Sequence, residues 1–132
     1  MGISNIVRTV PLCLLFVVAS LRLQAEDKPL TEKEKIESLI KHLEDLKDAT
    51  FVRNDTSYDS KVAGTFLRGK WEAQGKEIKT AADFIEKIAS VSSTSGKPYV
   101  IRFRDGRETK CGDYLKTELK KLENKRSDDA KQ

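Results

Sequence analysis

Cysteine and histidine are nearly absent from this chain of 132 residues: there are two cysteines, Cys13 and Cys111, and one histidine, His42. So few nitrogen and sulfur ligands exclude the Cys/His spacings of a zinc site. No serine stands in a G-x-S-x-G turn, so the nucleophile elbow of a hydrolase is missing. No motif calls for a cofactor. Neither sign of charge dominates: 25 Lys and Arg stand against 21 Asp and Glu, interspersed along the chain. Clustered cations are the footprint of a nucleic-acid surface, and their lack argues against that partner. No apolar run reaches the 20 or so residues that cross a bilayer comfortably. There is no internal repeat.

What is present begins with an address. Arg8 supplies an early positive charge, and Thr9 to Leu21 form an apolar run of 13 residues. Leu23-Gln24-Ala25 offers a cleavage site before Glu26. This is the three-part pattern of a secretory signal peptide, residues 1–25. The expected product is exported, to the periplasm or beyond, with no transmembrane segment left after cleavage. Cys13 lacks the small-residue context of a lipid-modified cysteine, and Ile6 stands where N-myristoylation wants Ser or Thr. Removal of residues 1–25 leaves 107 residues with 23 cations, 21 anions and a net charge of +2. That length suits one small domain, expected over residues 26–124. Cys111 is then alone, and a lone cysteine is buried, reactive or an intermolecular link.

Local patterns predict an α+β fold of about four helices with one or two small antiparallel β-hairpins. Thr31 and Glu34 form a capping box. Ile36, Leu39, Ile40, Leu43 and Leu46 follow at helical spacing, predicting a helix over 32–48 with Lys35, Lys41, Glu44 and Lys47 in water. Thr50 to Arg53 is a short strand, Asn54-Asp55 a turn and Ser57-Tyr58 a short return. Asp59 or Ser60 caps a helix over 60–74. Thr80 and Asp83 cap another over 81–90. Tyr99, Ile101 and Phe103 alternate onto one face of the clearest strand. A three-residue loop, Arg104 to Gly106, pairs Ile101 with Thr109, Arg102 with Glu108 and Tyr99 with Cys111. The two-residue alternative would put charges on the apolar face, because a one-residue slip exchanges the faces. Cys111 is thereby expected to point inward. A last helix is expected over 112–124, and residues 125–132 as a disordered charged tail.

Several segments recur in order with a known pattern. They are Phe51-Val52-Arg53-Asn54 with Tyr58, and the helix motif Ala63, Leu67, Arg68, Lys70, Trp71. The stretch Ile78 to Ser90 follows, then the loop Ser93, Ser95, Gly96, Lys97, Pro98, Tyr99, and the turn Asp105-Gly106. On these the stretch from about 35 to 122 resembles the bacterial family catalogued as domain of unknown function 5329. The resemblance implies small exported proteins and carries no assigned activity. This chain departs from the pattern in having Asp55 where the first turn has Gly, and Cys111 is no part of it.

The candidate binding residues are Arg53, Asn54, Tyr58, Arg68, Ser93, Ser95, Gly96 and Lys97. Arg53 and Asn54 can form a polar corner beside Tyr58 and Trp71. Gly96, the serine hydroxyls and Lys97 can donate to a carboxylate or phosphate. Arg53 paired with a helix carboxylate, and serines that merely cap a connection, are the plainer readings. His42 falls at the solvent edge of the first helix. The expected function is a non-catalytic binding or interaction module of the cell envelope, with an envelope protein or anionic envelope component as partner. The alternative is a small hydrolase or transferase using Cys111 or a serine of the 92–96 loop, which requires an accessible thiol of lowered pKa.

Overall fold

The computed structural model describes residues 28–131. The signal peptide and its cleavage after Ala25 lie outside the described residues. Among the described residues no helix is long and apolar enough to cross a membrane.

Helix α1 (Glu32–Glu44) opens on the expected capping box: the Glu34 amide donates to Thr31 Oγ1 and the Thr31 amide to Glu34 Oε2. Ile36, Leu39, Ile40 and Leu43 are buried. The helix stops four residues short of the expected end at 48, because Asp48 turns left-handed (φ 54°) to start the sheet. Lys35 and Glu44 are half-buried rather than in water. Ion pairs hold them: Lys35 with Glu32 one turn back on the same helix and with the distant Glu123, Glu44 with Arg68.

Strands β1 (Ala49–Arg53) and β2 (Thr56–Asp59) form a hairpin closed by Asn54 and Asp55, both at positive φ (49° and 65°). Two left-handed residues give the turn whose twist matches a two-residue hairpin. The departure from Gly therefore leaves the turn tight, at the cost of strain at Asp55. Asp55→Gly relieves that strain and gives up only an exposed pair with Lys97. The variant is expected to melt about 2–5 °C higher in calorimetry. An unchanged or lower Tm would show that the Lys97 contact outweighs the strain.

Helix α2 (Ser60–Gln74) is capped by Asp59, whose carboxylate accepts from the Lys61 amide, and it has the expected bounds. A 3-10 turn (Gly75–Glu77) follows. Helix α3 (Ala81–Asp83), capped by Thr80, runs on without a break as a π-helical segment (Phe84–Ala89). Strands β3 (Val100–Phe103) and β4 (Glu108–Lys110) adopt the expected register, with Ile101 opposite Thr109 and Arg102 opposite Glu108. Gly106, at φ 88°, supplies the left-handed loop position. Helix α4 (Cys111–Asp129) closes the chain.

The tail expected to be disordered from residue 125 is helical through Asp129. Lys125 and Arg126 are good helix formers. Arg126 donates to the Lys28 carbonyl at 2.6 Å, which ties the last turns to the start of the described chain.

The two hairpins join into one antiparallel sheet of order β2-β1-β3-β4. The seam pairs Phe51 with Ile101 and Ala49 with Phe103. Phe51 and Ile101 share a single buried cluster with Leu39, Leu67, Phe84 and Leu115 from the helices. At Gly64 a Cβ would collide with the Glu44 side chain, so this glycine leaves Glu44 the room it occupies against α2 beside Arg68.

Candidate functional site

The site grows from one end of the seam. Asn54, held left-handed by the hairpin turn, points its amide at the loop before β3. Asn54 Nδ2 donates to Ser92 Oγ at 3.3 Å, and Ser95 Oγ donates to Asn54 Oδ1 at 2.5 Å. Lys97 Nζ reaches Asp55 at 2.8 Å and holds that carboxyl below its usual range. Within the loop, the Gly96 amide donates to the Ser92 carbonyl and the Lys97 amide to Ser95 Oγ. Ser92 is buried and bonds Thr94. Apart from Ser93, the hydroxyls and amides named as anion donors are therefore engaged with one another and with the turn. Ser93 is exposed at the rim.

Behind this clasp stands Arg53. Its guanidinium carbon lies 4.5 Å from the centroid of the Phe66 ring. Its Nε is enclosed and has no hydrogen-bond partner. No carboxylate forms a salt bridge with Arg53 among the described residues, unlike Arg68, Arg102, Arg104 and Arg107. An enclosed donor without an acceptor carries an uncompensated desolvation cost. Beside it, Phe51, Tyr58, Val62, Ala63 and Phe66 line a cleft of about 90 Å³, with Arg53 on its wall.

A second cation stands behind the first. Lys70 Nζ donates to the carbonyls of Ile88 and Val91, both at 3.0 Å, and to Tyr99 Oη at 3.3 Å. Burial, and then the charge of Arg53, hold the Lys70 ammonium below its usual range. Burial raises the Tyr99 phenol, against a smaller lowering by Arg53.

Of the candidate residues, the fold brings together Arg53, Asn54, Tyr58, Ser95, Gly96 and Lys97, with Ser93 nearby in the loop. Arg68 stands apart. It faces α1, where it pairs with Glu37 and Glu44. Val62, Phe66 and Lys70 were missing from the candidates. Their spacing of four residues marks one ridge of α2, which was the available signal.

Cys111 is fully buried, and burial pushes its thiol up to about 12. His42 is occupied elsewhere, with its Nε2 2.8 Å from Tyr114 Oη and 3.3 Å from Glu118. Neither arrangement activates a nucleophile. Among the described residues no group of three His, Cys, Asp or Glu is placed to hold a metal.

Comparison with known proteins bears on the same region. The model of a family of unknown function, DUF5329, matches residues 30–123, which span every element of the fold except the end of α4. An uncharacterized protein of Salmonella typhimurium (strain LT2), YfeK, is 41% identical over 68 residues. That match covers 52% of this chain and 57% of the relative's length. No solved structure matches the chain.

Proposed function

The chain belongs to the family of unknown function DUF5329, and from its geometry we propose a non-catalytic binding module of the cell envelope. The module is exported through its N-terminal signal and works in the periplasm or outside the cell. Its ligand is an anionic envelope component, or a partner protein presenting an anionic group. Arg53 and Tyr58 form the centre of the site. Asn54, Ser93, Ser95, Gly96 and Lys97 form its rim.

The observation that carries this reading is the enclosed, partnerless Nε of Arg53 beside an open cleft. Every other arginine with a salt bridge named above already has a carboxylate. Arg53 has an aromatic face, a neighbouring ammonium and no acid. A guanidinium so placed gains from an arriving carboxylate or phosphate more than an exposed one does, because its lost water has not been replaced.

A thermal-shift screen tests the reading. Peptidoglycan fragments, lipopolysaccharide sugars, phosphates, sulfates and divalent metals form the panel. A ligand at 100 times its Kd adds about 2.7 kcal/mol, and each kcal/mol moves Tm by about 4–8 °C in a domain of this size. At least one anion is expected to raise Tm, and Arg53→Ala is expected to abolish the rise. Silence across the panel would refute a small anionic ligand and leave a protein partner, to be sought by crosslinking in the native envelope.

A further inference from the structure

The cleft beside Arg53 is apolar on every wall but one. Its volume of about 90 Å³ equals about three water molecules at the liquid's share of about 30 Å³ each. A group of three or four carbon atoms fills such a space. Val62, on its wall, is 50% exposed, the more open of two exposed large apolar side chains among the described residues.

The charge at the site is single. Lys70 is engaged by two carbonyls and a phenol, and Lys97 is paired with Asp55 outside the cleft lining, so on the cleft wall only Arg53 has an enclosed donor without a partner. One guanidinium matches one carboxylate in a two-bond fork. A phosphate or sulfate dianion would keep a net charge, and beyond Arg53 only the Tyr58 hydroxyl among the lining side chains could donate to its remaining oxygens. An aliphatic tail loses nothing there, and each buried methylene gains about 0.8 kcal/mol.

We propose that this cleft binds a short aliphatic monocarboxylate: the carboxylate on Arg53, and a branched tail of three or four carbons between Tyr58, Val62 and Phe66. The inference rests on the anion-binding reading above and narrows it. Two sources offer this chemistry, a free branched-chain acid and a peptide ending in a small aliphatic residue with a free carboxylate.

The test is a calorimetric titration of the protein as purified from cells. The probes are 3-methylbutanoate, acetate, inorganic phosphate, 3-methylbutanol, the peptide Gly-Gly-Val and its C-terminal amide. The expected order has 3-methylbutanoate at least about tenfold tighter than acetate, since three methylenes or methyls are added. The alcohol and the peptide amide are expected not to bind. Tighter binding of Gly-Gly-Val than of the free acid supports the peptide source, and the reverse order supports the free acid.

Two variants locate the site. Arg53→Ala is expected to lose binding. Val62→Glu places a carboxylate at the mouth of the cleft and is expected to lose it too, with an unchanged urea midpoint because Val62 is at the surface. Phosphate binding tighter than 3-methylbutanoate would overturn the aliphatic class and leave the anion reading standing. Acetate matching 3-methylbutanoate would overturn the role of the cleft. No binding by any of these anions, with a rise in Tm from another anion of the thermal-shift panel, would overturn the monocarboxylate alone; silence in both experiments would overturn the small-anion reading as well.

Discussion

Lys70→Met is expected to cost the protein about 2–3 kcal/mol of stability. The ammonium satisfies the carbonyls of Ile88 and Val91 where the π-helical segment ends and the chain turns toward β3. The last carbonyls of a helix have no amide of their own, and a cation there also meets the negative end of the helix dipole. Methionine keeps the length and apolar stem of the side chain but donates nothing. The part-buried Ile88 carbonyl and the Tyr99 hydroxyl then lose a charge-assisted donor, at about 1–3 kcal/mol for each unmet group, while the more exposed Val91 carbonyl can turn to water. The loss is reduced because burial and Arg53 already oppose the charge on Lys70. A removed charge no longer bears that penalty. Urea unfolding measures the difference. Lys61→Met, on the exposed side of the same helix, is the control and should stay within about 0.5 kcal/mol of the parent. A Lys70→Met midpoint equal to the control's would show that water serves those carbonyls as well as the ammonium does.

Alkaline solution is expected to destabilise the protein through Cys111. Its thiol is pushed from 9.0 to about 12 by burial, although the first residue of a helix is a position that lowers a thiol's pKa. Above pH 9 the unfolded chain gives up the proton and the folded chain keeps it. Fewer protons are then bound in the unfolded state, so stability falls as pH rises, by about 1.4 kcal/mol per unit between 9 and 12. Below pH 9 both states hold the proton and the contribution is constant. Other groups titrate nearby. Tyr99 and Tyr114, raised by burial, add to the fall above pH 10. Lys70, held low, works the other way, since stability gained from losing its proton grows with pH toward 10.5. Cys111→Ala keeps all of these and removes only the thiol. Relative to the variant, the parent should lose about 2–3 kcal/mol between pH 8 and pH 11 in urea unfolding. Parallel pH profiles for the two proteins would refute a buried, protonated thiol.

Legibility in the sequence followed the range of the forces involved. The bounds of α2 and the register of β3 with β4 could be read because each rests on local geometry: a cap at Asp59, and the parity that keeps Tyr99, Ile101 and Phe103 on one face. Helix ends were less legible. Asp48 ends α1 early because the chain must enter the sheet, and Arg126 extends α4 by reaching Lys28, 98 residues away. The seam between β1 and β3 leaves no local mark, since each hairpin satisfies its own pattern alone. The corner itself was half legible. Arg53, Asn54, Tyr58 and the 93–97 loop were named, and the clasp between turn and loop unites them. Arg68 was grouped with them on the strength of motif position. Residues 68 and 70 lie about 200° apart around a helix, so only one of the two can face the sheet, and it is Lys70. Arg53's want of an acid could not be read at all, because partners for its charge are set by packing.

The seam also orders events in time. β1 meets β2 across two residues but meets β3 across about fifty, so the first hairpin can form on the scale of microseconds while the seam waits for a much larger loop to close. Asn54 and Ser95, 41 residues apart, touch only after that closure. A chain emerging during synthesis can therefore pair its first hairpin before the clasp between Asn54 and Ser95 exists. Arg53 and Phe66 are close in sequence and can meet early, yet Tyr99 backs Arg53 only when β3 has joined the sheet. The cleft's lining lies within residues 51–66, while the Asn54 clasp and the Tyr99 backing wait for the seam, so the corner is complete only in the full fold.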